Sequence, residues 1–164
     1  MDSGKILYSA GKNDECFTPR YVVEAILPYL DRSKTYWLPF DTEESEFVRV
    51  LRDNGFSFVR SHMEDGLNYF ENEPVHWDAI LSNPPFTGKR AIFERALSFG
   101  KPFALLMSNT WLNDSAPKVL FMERDLQLLL FRNRIQFNSL HKITFSSSFF
   151  CCDFLPKQII IINK

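Results

Sequence analysis

Asn83, Pro84, Pro85 and Phe86 are the residues whose types and spacing could best do chemistry, and they follow directly on the apolar segment Trp77 to Ser82. Two adjacent prolines hold φ at about −65° and donate no backbone hydrogen bonds. The residue before them is turned away from helical geometry. The expected product is a stiff, open turn beyond a strand's carboxyl end, with an amide at one end and an aromatic ring at the other. An exocyclic amine conjugated to a ring is a poor nucleophile, because its lone pair is delocalised. Two acceptors on its protons, the Asn83 side-chain carbonyl and the Pro84 backbone carbonyl, favour a pyramidal nitrogen whose lone pair can attack. Those bonds strengthen as positive charge grows on nitrogen, so they stabilise the transition state more than the ground state. Phe86 would stack on the ring, worth roughly 1–3 kcal/mol on aromatic platforms of this kind. The same four residues would also serve as a plain turn with Phe86 in the core. An apolar strand before them and a helix after them favour the chemical reading.

Positioning such a turn takes alternating strands and helices, and the pattern along the chain supplies them. Thr18-Pro19 predicts a helix start, with Thr18 as N-cap and Pro19 at the first helical position. Val22, Val23, Ile26, Leu27 and Leu30 follow as an apolar stripe. Strands are expected over Thr35 to Phe40, Phe56 to Ser61, Trp77 to Ser82, Phe103 to Asn109, Leu126 to Phe131, Lys142 to Phe145 and Gln158 to Asn163. Helices are expected over Glu43 to Asp53, Lys89 to Phe99 and Ser115 to Arg124, the first stopped by Asn54-Gly55 and the second by Gly100. This alternation predicts an α/β fold whose mostly parallel sheet carries helices on both faces. No helical pattern separates the last two strands, which predicts an antiparallel C-terminal hairpin at one edge.

A chain of 164 residues suits one domain with a real core. No apolar run approaches the roughly 18 residues needed to span a bilayer, and Met1 to Lys5 leads into no signal-peptide core. Cys16, Cys151 and Cys152 have neither disulfide-framework nor zinc-site spacing. These features predict a reduced, cytoplasmic setting away from membranes. The net charge of −1 conceals an asymmetry: residues 1–82 carry 8 basic and 15 acidic side chains, residues 83–164 carry 11 and 5. Lys89, Arg90, Arg95, Lys118, Arg132, Arg134 and Lys142 could meet phosphates, or be ordinary solvated cations.

The Asn83 to Phe86 turn, in its strand–helix context, resembles the (Asn/Asp)-Pro-Pro-(Tyr/Phe) motif of amino-group methyltransferases that use S-adenosylmethionine. The order of elements is similar to that of bacterial and phage adenine-specific DNA methyltransferases, whose cofactor motifs precede the catalytic one. The resemblance implies a Rossmann-like methyltransferase sheet, S-adenosylmethionine as cofactor, adenine in DNA as acceptor after base flipping, and catalytic roles for Asn83, Pro84, Pro85 and Phe86. It implies that Phe17 and Thr18 touch the cofactor's carboxylate, that Asp65-Gly66 lies near its adenine, and that Asn83 borders it. Thr18 as a simple helix cap and Asp65 as a surface turn are the alternatives. No metal is implied. Phe149 to Ile162 is similar to the family's closing hairpin.

Two departures from the family shape the expectations. The glycine loop after the first strand is replaced by Pro39-Phe40-Asp41-Thr42-Glu43, so side chains fill space that close cofactor approach would use. Pro39, Phe40 and Asp41 are the candidates there, Asp41 as acceptor from the cofactor's ammonium and Glu64 for ribose hydroxyls. His62 reads as a local structural residue. The recognition region shrinks to Asn133–Leu140, with Arg134, Gln136 and Asn138 able to reach bases or phosphates. The expectation is a weakly selective protein, or one whose DNA groove is completed by a partner protein or a second copy. The Phe-rich stretch Phe145 to Phe154 reads as core or as a stacking surface. Methylation of an RNA base amine or a protein glutamine, and a non-catalytic binding module with the same fold, are the competing functions.

Overall fold

The computed structural model describes residues 17–137 and 144–163. The expected irregular arm with Cys16, the first half of the expected strand Lys142 to Phe145, and Asn138 lie outside them, and Thr144 and Phe145 precede the strand that begins at Ser147. Seven strands form one sheet: β1 (Thr35–Leu38), β2 (Ser57–Arg60), β3 (Ala79–Ser82), β4 (Phe103–Ser108), β5 (Gln127–Phe131), β6 (Ser147–Cys152) and β7 (Ile159–Ile162). Their order is β2-β1-β3-β4-β6-β5-β7. Only β6 runs against the others, antiparallel to both β4 and β5. The fold is therefore the expected α/β type with a mostly parallel sheet. Helices α1 (Arg20–Ile26) and α2 (Glu46–Asp53) pack on one face, through Val22, Val23, Ile26, Phe47, Val48 and Leu51. On the other face lie α3 (Lys89–Ser98) and a 3-10 segment, through Ile92, Phe93 and Trp111, with the short α4 (Ala116–Leu120) beside them.

The expected C-terminal hairpin is corrected. The antiparallel strand is Ser147–Cys152, it lies inside the sheet, and β7 pairs in parallel with β5 at the edge. Burial explains the placement, since every residue of β6 is buried whereas β7 alternates between exposed and half-buried. A strand covered on both faces belongs in the middle of a sheet. Gln127 carries the chain across β5 to its far side. Its Oε1 accepts from Phe154 N and Leu155 N, each at 2.9 Å, and its Nε2 donates to Leu155 O at 2.7 Å. The chain makes its turn at Asp153, whose φ is +50°.

Other boundaries shift by a few residues. Helix α2 begins at Glu46 rather than Glu43 because the Ser45 hydroxyl caps it, accepting from Phe47 N at 3.1 Å. Helix α1 begins at Arg20, with extended Pro19 as its N-cap residue. Thr18 is therefore not the cap, and its hydroxyl has another partner. The expected helix over Ser115 to Arg124 is only the five residues of α4.

Within β1, Trp37 is fully buried and donates from Nε1 to Ser61 Oγ at 2.9 Å. Its ring meets Trp77, Tyr69 and Phe99 at centroid distances of 5.1, 5.5 and 5.7 Å. Trp37→Ala is expected to destabilise the fold by about 3–5 kcal/mol, read as a lower urea midpoint, since three rings cannot collapse into the gap together.

Candidate functional site

The chain leaves β1 for β2 on one side and later returns to place β3 on the other. The order of strands reverses between β1 and β3, and in open α/β sheets such a switch point opens the ligand crevice outside the strands' carboxyl ends. Pro39 to Asp41 follow β1 at that point and Asn83 follows β3. The two segments that sequence singled out separately thus follow neighbouring strands at this switch point.

Asp41 joins them. Its carboxylate is 5% exposed and accepts from Ser82 Oγ at 2.6 Å and from Ser45 Oγ at 2.5 Å. The Ser82 bond reaches from the loop after β1 to the last residue of β3, one position before Asn83. Burial pushes the Asp41 carboxyl up to about 6, against the opposing pull of the two serine hydroxyls and, less strongly, of His62 and Arg60. The glycine-free loop is accommodated by packing. Pro39 is buried, and the Phe40 ring turns into the core against Tyr69 at 4.8 Å.

Asn83 donates from Nδ2 to Thr18 Oγ1 at 2.9 Å. This bond takes the Thr18 hydroxyl away from α1 and brings it to the Asn83 turn, so the residue before the helix serves the crevice instead of the cap. With Nδ2 turned to Thr18, Oδ1 is the acceptor end of the amide. Pro84 is buried and Phe86 half-buried, its ring edge-to-face with Phe145 at 5.4 Å. Phe17 is 64% exposed beside Thr18.

Asp65 lies two strands from Asn83, at the end of the edge strand β2. Its Oδ2 accepts from Arg60 Nη1 at 2.6 Å, while Arg60 Nε reaches Glu43 Oε1 at 2.8 Å. Arg60 thereby ties together the loops after β1 and β2. Gly66 closes the short 3-10 turn at φ +75°, a conformation that favours glycine. His62 accepts from Glu64 N at 3.1 Å, the local structural role expected of it. Because the Arg60–Asp65 pair is solvent-accessible, Asp65→Ala is expected to change unfolding free energy by less than about 1 kcal/mol, measured in urea.

Lys89 and Arg90 open α3 directly after the Asn83 turn, and Arg132 and Arg134 follow β5, all at the carboxyl side of parallel strands. Arg90, Arg132 and Arg134 are exposed, Arg90 pairing with Glu94 at 3.0 Å. On the opposite stretch of the same rim stand Glu43, Glu44, Glu64 and Asp65, after β1 and β2. The charge asymmetry of the sequence thus becomes a division among the strand ends, acidic after β1 and β2 and basic after β3 and β5. Arg95 does not join the basic side. It donates to Tyr69 O at 2.7 Å and lies over the Phe99 ring.

Sequence reasoning missed Ser45 and Ser82, although a serine ending the apolar run Ala79 to Leu81 is a legible sign of a polar function at the strand's tip. Among the described residues no cluster of His, Cys, Asp or Glu is placed to hold a metal ion, and no helix is long and apolar enough to cross a membrane. No family model matches the chain, and no curated protein matches it significantly.

Proposed function

We propose that the protein transfers a methyl group from S-adenosylmethionine to the exocyclic amine of adenine in DNA. The observation that carries this reading is the convergence of Asn83 with Asp41 and Thr18 at the switch point of the sheet. An anchored amide acceptor and a buried carboxylate on adjacent strand ends suit a planar amine on one side and a cationic cofactor on the other.

The residues fit the cofactor by the chemistry of their donors and acceptors. Asp41 keeps two lone-pair sites beyond those taken by Ser45 and Ser82, and an adjacent ammonium would stabilise its charged form. The acidic stretch of rim around Glu43 and Glu64 favours the same positive charge. When bound, S-adenosylmethionine supplies a methyl group activated by its sulfonium.

The chain's own part is binding and orientation. Asn83 Oδ1 and the Pro84 carbonyl accept from the two protons of the amine, and Phe86 stacks on the ring, taking up the aromatic contact that Phe145 makes with it. The nitrogen gains the methyl group and releases one proton to solvent, while the donor leaves as the neutral thioether. Most of the acceleration comes from alignment and from acceptors matched to the developing charge. Lys89, Arg90, Arg132 and Arg134 supply phosphate contacts on the basic stretch of rim.

Incubation with methyl-labelled cofactor and either DNA or RNA, followed by digestion to nucleosides, tests the proposal. N6-methyladenine from DNA is the expected product. Label in RNA alone would move the acceptor class, and no labelled base from either would overturn the reading. The glycine-free loop motivates a second reading, a binding module without transfer. Calorimetric titration separates the two, because absence of cofactor binding at millimolar concentration favours the module.

A further inference from the structure

The two edges of the sheet are finished differently. At the β2 edge, Arg60 holds Glu43 and Asp65, and the Arg52 guanidinium covers the Phe58 ring at 5.7 Å. Charges of this kind keep an open edge from pairing with another chain. The β7 edge is four consecutive isoleucines, with no charge or proline among them. Ile160 and Ile162 pack on the α1/α2 face. Ile159 and Ile161, 56% and 66% exposed, stand beside half-buried Leu128 and Leu130 on the other face. A groove of about 380 Å³ follows this edge, lined by Tyr29, Pro156, Lys157 and the first three isoleucines. The carbonyls of Gln158 and Ile162 accept from Leu128 N at 2.8 Å and Arg132 N at 3.0 Å. Alternation along the strand therefore turns the N–H and C=O of Ile159 and Ile161 to the open side.

We infer that β7 pairs antiparallel with β7 of a second copy of the chain, about a two-fold axis through Ile160. The strand is its own complement in that register. Ile159 lies opposite the second copy's Ile161 and exchanges both backbone bonds with it, and Ile161 does the same with the second copy's Ile159. The four exposed isoleucines then cover one another on one face. On the other face the two Ile160 side chains meet beside Tyr29, which lines the same groove. Lys157 falls opposite Asn163, so no like charges oppose each other. Sliding the pairing by two residues sets Ile161 opposite Lys157, or Ile159 opposite Asn163, and loses the match. A two-fold contact uses up both open edges and closes, and the charged β2 edge offers no continuation into a fibre. Antiparallel pairing points the carboxyl ends of the two sheets in opposite directions. The second copy therefore covers the edge without completing a groove at Asn83, and the inference stands apart from the transfer reading.

Sedimentation velocity of the full chain across a micromolar range of concentration is expected to show a dimer. Ile161→Lys puts a charge into the isoleucine cluster, and Ile161→Pro removes an outward N–H. Each is expected to raise the dissociation constant of the dimer at least about tenfold. Neither removes a bond to β5, so both variants should still unfold cooperatively in urea. A third variant reads the register. In a Cys16→Ser background, whose remaining Cys151 and Cys152 are buried, Ile160→Cys is expected to give a disulfide-linked dimer on mild oxidation. Residues opposite each other at a non-hydrogen-bonded pair have Cα atoms about 4.5 Å apart, within reach of that bond. A wild-type chain that stays monomeric throughout overturns the inference and leaves the edge to a foreign strand. A dimer that survives both Ile161 substitutions overturns it by placing the contact elsewhere. A dimer that gives no cross-link through position 160 overturns the two-fold pairing.

Discussion

Asn83→Ala is expected to lower the rate of methyl transfer by about 10²–10³-fold at saturating DNA and cofactor, the loss typical of removing one preorganised group that meets developing charge. The amine would retain the Pro84 backbone carbonyl, which no side-chain substitution removes, so the residual rate should stay above background. The loss should fall on kcat, because the bond strengthens only as the nitrogen becomes cationic. Thr18 loses its partner at the same time, but a half-buried hydroxyl can turn to water, so the fold should be little affected. Asn83→Asp separates acceptor from donor. It keeps an oxygen in place and gives up the bond from Nδ2 to Thr18, so it is expected to recover part of the lost rate. Initial rates of labelled methyl incorporation at varied DNA and cofactor concentrations check each point. A wild-type rate in Asn83→Ala would remove the amine-acceptor role, and with it the main support for transferase chemistry.

The sheet and its crevice were legible in sequence to different depths, for identifiable reasons. Strands β3 and β4 are continuous apolar runs bounded by Pro, Gly or Asn, so their existence and the turn between β3 and α3 could be read directly. The position of β6 could not. A run such as Ser147–Cys152 says that both faces are covered, yet not which two strands cover its edges. That depended on Gln127 turning the chain over the start of β5, a long-range side-chain contact with no local signature. Thr18 shows the same limit at a single residue. Thr-Pro before an apolar stripe has the local pattern of a helix cap, and only the partner 65 positions away assigns the hydroxyl to the crevice. Asp41 was legible as a candidate because it follows a strand. Its burial, and the two serines that hold it, required the fold.

Asp41→Asn is expected to stabilise the protein above pH 6 and to weaken cofactor binding in the same range. The carboxyl titrates at about 6 in the fold and at 3.8 as its ordinary value, raised chiefly by burial. A raised acid is more stable in its protonated form. Its favourable contribution is complete below the unfolded pKa and is lost as pH rises through about 6. Above that, the fold carries a buried carboxylate at a cost on the order of 3 kcal/mol, from a little over two pH units at about 1.36 kcal/mol each. The amide has the same shape and no charge. It can accept from one serine and donate to the other, whose hydroxyl rotates to suit. Urea unfolding of both proteins from pH 4 to 8 should show the curves closest at the acid end, diverging in favour of the variant from about pH 4 and running parallel above about pH 6. The difference between them cancels the groups that lie remote from Asp41. A charge kept at such cost beside Asn83 argues for a cationic ligand. S-adenosylmethionine affinity should therefore fall at least about tenfold in Asp41→Asn at pH 7, the scale of a hydrogen bond to a charged group. In the wild type it should weaken as pH drops below 6, because binding must first remove the proton. Calorimetry in two buffers of different ionisation enthalpy would register that proton's release near pH 6. Affinity independent of pH, together with an equal affinity in the variant, would place the cofactor's positive groups elsewhere in the crevice and leave Asp41 as a strut between β1 and β3.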